Sequence, residues 1–232
     1  MILSIKNAIL TTVIPGTDVP GTDVPGTDVA ARIARQTMAR RGADYTVEVR
    51  RLLDAALEVM ASNGTRARAR VADIVTTAGL SNETFYRHFK SKDALVGALL
   101  EDGAERLRRY LAHQMDKEST AAGQVRRWVG GVLSQADEEI AVTTLAVLWN
   151  AASTDRGLAS GRHFASAPLA TLLYDPFTTL GAGTPELAAD LAAHAVLGKL
   201  SDHLWQGTRP TAREVTAIVD FCLAAVGDEH AV

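Results

Sequence analysis

From about Tyr45 onward the apolar residues of this chain recur at helical spacing. Leu53, Ala56, Leu57 and Met60 fall at i, i+3, i+4 and i+7 and predict one buried stripe of a helix that starts near Tyr45, capped by Asp44, and runs to Ser62. Asn63-Gly64 is a pair that tolerates left-handed backbone and ends it. Val71, Ile74, Val75 and Ala78 mark the inner side of a short helix, Val71 to Thr77. The turn Ala78-Gly79-Leu80-Ser81 leads into a second short helix reaching about Phe89. Ser91 caps a longer one, in which Leu95, Ala98, Leu99, Leu100, Ala104, Leu107 and Leu111 extend an apolar stripe to about residue 115. Further amphipathic segments follow near 120–136, 138–153, 158–174, 185–207 and 211–227, punctuated by prolines at 168, 176, 185 and 210. Thr211-x-x-Glu214 is a capping-box pattern opening the last of them.

Composition agrees with helix throughout. Aromatic residues are only 5% of the 232 positions, whereas strands ask for β-branched and aromatic runs, so the expected fold is all-α. Upstream of the helices the order breaks down. Pro15-Gly16-Thr17-Asp18-Val19 recurs at Pro20–Val24 and Pro25–Val29, and residues 1–29 read as a disordered low-complexity tail. The apolar stretch Met1 to Ile14 carries Lys6 inside it and precedes no small-residue cleavage site, which argues against secretion. No apolar run approaches the roughly 18–20 residues of a membrane span, and a cytoplasmic protein is expected. The single cysteine, Cys222, sits among apolar neighbours as a small hydrophobe.

Charge separates the chain into parts. Residues 30–95 hold twelve Lys and Arg against seven Asp and Glu, a net of +5, while residues 96–232 carry a net of −6. The first of these is the footprint of a phosphate-binding surface. It divides into a basic arm, residues 30–44 with Arg32, Arg35, Arg40 and Arg41, and a helical module, residues 45–95.

Two short helices joined by a tight, glycine-containing turn make a helix-turn-helix. Gly79 permits a positive φ, Leu80 plugs the space between the helices, and the Ser81 hydroxyl caps the second helix. Phe85 and Phe89 lie four apart and pack inward, leaving Asn82, Glu83, Thr84, Tyr86, Arg87 and His88 to face outward. Asn pairs bidentately with adenine and Arg with guanine, whereas a Glu beside phosphates is costly unless it accepts from a cytosine amino group.

The ordered runs Leu53-Asp54-Ala55-Ala56-Leu57, Val71-Ala72-Asp73-Ile74-Val75, Ala78-Gly79-Leu80-Ser81, Thr84-Phe85-Tyr86-Arg87-His88-Phe89 and Ser91-Lys92-Asp93-Ala94-Leu95 resemble the N-terminal domain of TetR-type repressors over roughly residues 46–100. The resemblance implies base reading by Asn82, Glu83 and Arg87 and phosphate contacts by Thr84, Tyr86, His88 and Lys92. It also implies that Arg40 and Arg41 of the arm follow the DNA backbone or enter the minor groove. Residues 96–232 would then form a helical domain that binds a small apolar effector and dimerises through its last two helices. Leu187, Leu191, His194, Ala195 and Gly198, with Ile218, Cys222 and Ala225, are candidates for the homodimer face or for ordinary core. The implied partners are a double-stranded DNA operator, a small-molecule effector and a second copy of the chain. One departure stands out. Arg70, in Arg66-x-Arg68-x-Arg70, occupies the position where the family often has a Thr or Ser opening the first short helix.

Trp128, Trp149, Phe164, Tyr174, Phe177 and Trp205 are candidates to line an effector cavity, with plain core as the alternative. His194 and His203 are nine apart, not an i, i+4 pair, so no metal is expected, and no motif calls for a cofactor. Phosphate loops, His-Glu-x-x-His and Gly-x-Ser-x-Gly are absent, so the reading is not that of an enzyme. The competing reading is a helical interaction protein whose basic face has no specific DNA site.

Overall fold

The computed structural model describes residues 29–152 and 166–227, and the chain falls into two units, residues 1–44 and 45–232. Among the described residues every regular element is helical. Helix α1, Val29–Asn63, contributes Val29–Asp44 to the first unit and Tyr45–Asn63 to the second. A start near Tyr45 is therefore corrected to Val29. Ala, Arg, Gln and Met dominate residues 30–41 and are good helix formers, and the lone Gly42 costs only about 1 kcal/mol in a helix interior. The tail reading for residues 1–28 lies outside the described residues.

The second unit continues with α2, Val71–Ala78, α3, Asn82–His88, and α4, Lys92–Met115. Then come α5, Ala121–Leu133, a 3₁₀ turn at Ser134–Ala136, and α6, Glu138–Ala151. Helical residues 166–170 and a second 3₁₀ turn, Thr171–Leu173, lead into α7, Tyr174–Thr179. Pro176 thus sits within the first turn of α7, where its missing N–H costs nothing. The chain closes with α8, Pro185–Gln206, and α9, Ala212–Gly227.

Local signals set the helix ends. Gly64 has φ +56° and its N–H reaches the Met60 carbonyl, closing α1. The hydroxyls of Ser81, Ser91 and Thr120 accept from the N–H groups of Thr84, Ala94 and Gly123, each satisfying one orphan donor. The Thr211 hydroxyl accepts from the Glu214 N–H, as the capping box predicts, but the Glu214 carboxylate turns away to His203 and Lys199.

Two apolar cores share two helices. The first gathers Leu52, Ala56 and Met60 of α1, Ile74 of α2, Phe85 of α3 and Leu95 and Leu99 of α4, together with Ala146, Val147 and Ala151 of α6. The second is built on Leu111 and Met115 of α4, Trp128 and Leu133 of α5, Phe177 of α7, and the inner faces of α8 and α9. Helix α4 therefore serves one core with its first half and the other with its end. Gly131 lets α5 approach it closely, since a Cβ there would collide with Leu111. Cys222 is enclosed in the second core, and burial pushes its thiol pKa up to about 11.

Candidate nucleic-acid interface

The helix-turn-helix is held from three sides. Gly79 adopts φ +61° in the turn, and its own N–H and that of Leu80 satisfy the last carbonyls of α2. From α1, Arg51 reaches across and donates to the Ala78 carbonyl at 2.6 Å and to that of Gly79 at 3.3 Å. A Cβ on Gly79 would stand 2.9 Å from the Arg51 guanidinium, so this glycine serves both its backbone conformation and the approach of Arg51. Beneath α3, Phe85 and Phe89 are buried with ring centroids 5.8 Å apart, and Leu80 packs against the same core. Burying Phe85 alone contributes about 1.5–3 kcal/mol. Arg70 does open α2 without any side-chain cap, and its guanidinium instead pairs with Asp73 in the first turn at 2.9 Å, holding the Asp73 carboxyl below its ordinary range.

That scaffold turns one face of α3 to solvent. Asn82, Glu83, Tyr86 and Arg87 are exposed, Tyr86 at 58% despite its size. Thr84 is half-buried, and its hydroxyl lies 3.1 Å from that of Ser81. Lys92 is half-buried at the first position of α4. Arg40 and Arg41 lie in α1 within the first unit, and their side chains fall outside the described residues.

His88 departs from expectation. Its side chain is 7% exposed, and Nε2 lies 2.7 Å from Glu48 Oε2. Its ring meets that of Tyr45 edge-on at 5.2 Å. An imidazole whose outer nitrogen is already engaged beneath the surface braces α3 against α1, which corrects its expected outward-facing position. The same Glu48 oxygen accepts from Arg87 Nη2 at 2.8 Å, and the Arg87 guanidinium lies over the Tyr45 ring. Bonds from His88 and then Arg87 hold the Glu48 carboxyl below its ordinary pKa.

A second junction joins the loop after α1 to α6. The Asn150 side chain is fully buried, its Oδ1 accepting from the Ala69 N–H at 3.1 Å and its Nδ2 donating to the Ala146 carbonyl at 2.9 Å. Beside it Arg68 lies over the Trp149 ring, which meets Trp205 at 6.1 Å. Sequence reasoning missed Glu48, Arg51 and Asn150. Only Asn150 left a signal, as an amide within the apolar run of α6.

The aromatic candidates for an effector cavity scatter. Trp128 and Phe177 are solid core, the Trp128 indole N–H donating to the Leu169 carbonyl at 3.0 Å. Tyr174 is half-buried, Trp149 and Trp205 belong to the junction above, and Phe164 lies outside the described residues. None of them lines the groove of about 390 Å³ between the start of α6 and the end of α8. Ala141, Val142 and Leu145 form its apolar wall, and His203, Thr208 and Arg209 its polar one. His203 Nδ1 lies 2.8 Å from the Thr208 hydroxyl, and Nε2 3.2 Å from Glu214 Oε1. Among the described residues no cluster of His, Cys, Asp and Glu has metal-binding form, and no helix is long and apolar enough to cross a membrane.

A three-helix head with an exposed, capped recognition helix, carried on a helical body, defines a helix-turn-helix protein of the all-α class. Residues 52–99 match the family model of bacterial regulatory proteins, tetR family. A Bacillus subtilis (strain 168) protein, the uncharacterized HTH-type transcriptional regulator YvdT, is 37% identical over 67 residues, which cover 29% of this chain and 30% of that protein's length. The chain's match thus spans less than a third of this relative. A putative TetR-family transcriptional regulator from Mesorhizobium loti superposes with a TM-score of 0.58 at 19% identity, over 78% of this chain and 94% of that one. RolR, solved with resorcinol, gives 0.58 at 16% identity over 81% and 91%. Bacillus subtilis FadR, solved with stearoyl-CoA, gives 0.50 at 18% identity over 77% and 97%. Residues 52–99 thus carry the tetR-family pattern, and the chain shares its fold with these solved structures.

Proposed function

We propose that this protein is a ligand-responsive transcriptional regulator, in the cytoplasm, that binds a pseudo-palindromic operator as a homodimer and is released from it by a small molecule, acting as a repressor rather than an enzyme. The carrying observation is the exposed face of α3, where Asn82, Glu83 and Arg87 stand ready for base edges while Thr84, Tyr86 and Lys92 flank them for phosphates. A homodimer is supported by large apolar side chains left in water on the last two long helices. Leu187 and Leu191 of α8 are 58% and 62% exposed and Phe221 of α9 is 59% exposed. On α9 the core alternative holds for Cys222 and Ile218, and the side chain of Ala225 lies outside the described residues. Cys222 points into the core and Ile218 packs against it, while Ala217, Phe221 and Ala224 point out. A twofold pair would set two recognition helices about 34–36 Å apart, one turn of the duplex.

The effector reading is supported by the ligands of RolR and FadR and by the groove beside α6, a helix that also contributes to the core beneath the recognition helix. Operator and effector binding would be reciprocally coupled through it. The test is duplex binding by fluorescence anisotropy with DNA from upstream of the protein's own gene, across a salt series. The proposal expects a log affinity that falls steeply with log salt and exceeds that for unrelated duplex. Binding that ignores both salt and sequence would favour the interaction-protein reading instead.

A further inference from the structure

We infer that Glu48, outside the helix-turn-helix, is a specificity-determining positioning residue that presets the Arg87 guanidinium for a guanine. The inference rests on the DNA-reading function proposed above. A free arginine at a surface samples many rotamers, and ordering it for one base opposes binding. Here α1 supplies two restraints on the same guanidinium. Glu48 Oε2 accepts from Nη2 at 2.8 Å, and Cζ lies over the Tyr45 ring, 5.6 Å from its centroid. The carboxylate is itself anchored by the buried His88, 2.7 Å from the same oxygen, so it is not a mobile surface acid.

The geometry leaves Arg87 its reading capacity. Nη2 uses one of its two N–H groups on Glu48, and the other, with those of Nη1, remains for the O6 and N7 acceptors of guanine. The arginine also stays 42% exposed. Glu48 partly offsets the Arg87 charge as well, which lowers its undirected attraction to phosphates. Loss of the carboxylate would thus act in opposite senses on specific and unspecific DNA, which loss of a merely structural residue would not.

The experiment uses the full chain and a randomised duplex library. Sequences are selected with the wild-type protein, and affinities for single base-pair variants of the selected site are then measured for wild type, Arg87→Ala, Glu48→Gln and Tyr45→Leu. The expected result is one G·C position per half-site that Arg87→Ala flattens. Glu48→Gln should cut discrimination at that position about fivefold or more, the lower bound for a bidentate contact, leave the other positions intact, and raise affinity for unselected DNA. Tyr45→Leu, which keeps the carboxylate, should reduce discrimination at the same position and serves should Glu48→Gln fail to fold. Retained discrimination in both variants overturns the inference, as does an equal loss at every position. A selected site with no position sensitive to Arg87→Ala also overturns it. A wild-type protein that selects no sequence overturns the DNA-reading function, and this inference with it.

Discussion

Replacing Asn150 with Ala tests the junction between α6 and the loop before α2. The side chain is fully buried, and Ala69, whose N–H it accepts, is itself only 2% exposed. Truncation leaves that N–H enclosed without its acceptor, at about 1–3 kcal/mol. The space vacated by the amide adds about 1 kcal/mol. The Ala146 carbonyl loses only a second donor, since it remains within the helical ladder, so the total is about 2–4 kcal/mol. For a unit of this size each kcal/mol moves the melting temperature by about 2–4 °C, which gives a drop of about 4–16 °C. Calorimetry at one fixed protein concentration measures it, because the proposed dimerisation would make the midpoint concentration-dependent. Asn150→Asp adds a sign. A carboxylate can accept from Ala69 but cannot donate to Ala146, and its charge is buried, so this variant should be less stable than Asn150→Ala at pH 7 and recover as the pH falls and it is protonated. A melting temperature within 1 °C of wild type for Asn150→Ala would refute the reasoning.

Further outcomes follow from other features. Gly79→Ala forces a side chain into a positive-φ turn and against Arg51, and urea unfolding should show a loss of about 1–3 kcal/mol; an unchanged midpoint would contradict the geometry. Burial pushes the Glu214 carboxyl up, but bonds from His203 and the nearby Lys199 outweigh it and hold the pKa below 4.5. Its contribution is therefore complete above about pH 4.5 and is lost as the pH falls through the lowered value; melting curves from pH 6 to 3 should drop less steeply for Glu214→Gln, and parallel curves would count against this. Leu191→Glu together with Phe221→Glu should give monomers in analytical ultracentrifugation and abolish tight operator binding, whereas an intact dimer would place the interface elsewhere. Cys222 should resist alkylation in the native protein at pH 8 and react on unfolding; rapid native labelling would be inconsistent with a buried, protonated thiol.

What could be read in advance divides along sequence distance. The Ser81 cap, the Gly79 turn and the Phe85–Phe89 pair are decided within one or two helical turns, and periodicity and capping chemistry reveal them. Glu48 and Arg87 are 39 positions apart, Arg51 and Ala78 27, and Ala69 and Asn150 81. No local pattern selects such partners, because tertiary packing brings them together. His88 illustrates the consequence. Its position on α3 suggests an outward residue, yet α1 folds over it and engages its ring. The start of α1 was hidden differently, since a single glycine reads as a break until the helix formers on both sides are weighed against it.

Helix α6 lends Ala146, Val147 and Ala151 to the core under the recognition helix, although it lies some fifty residues downstream of that module. The module is consequently not a detachable cassette. A fragment that ends with α4 would face water with the apolar patch those three residues cover, and would lose the Asn150 bond to Ala69. Grafting this helix-turn-helix head onto the body of another such protein therefore asks for a matching α6 as well. Under the proposed DNA-reading function, exchange of operator preference should travel more readily through point changes on α3 than through domain shuffling.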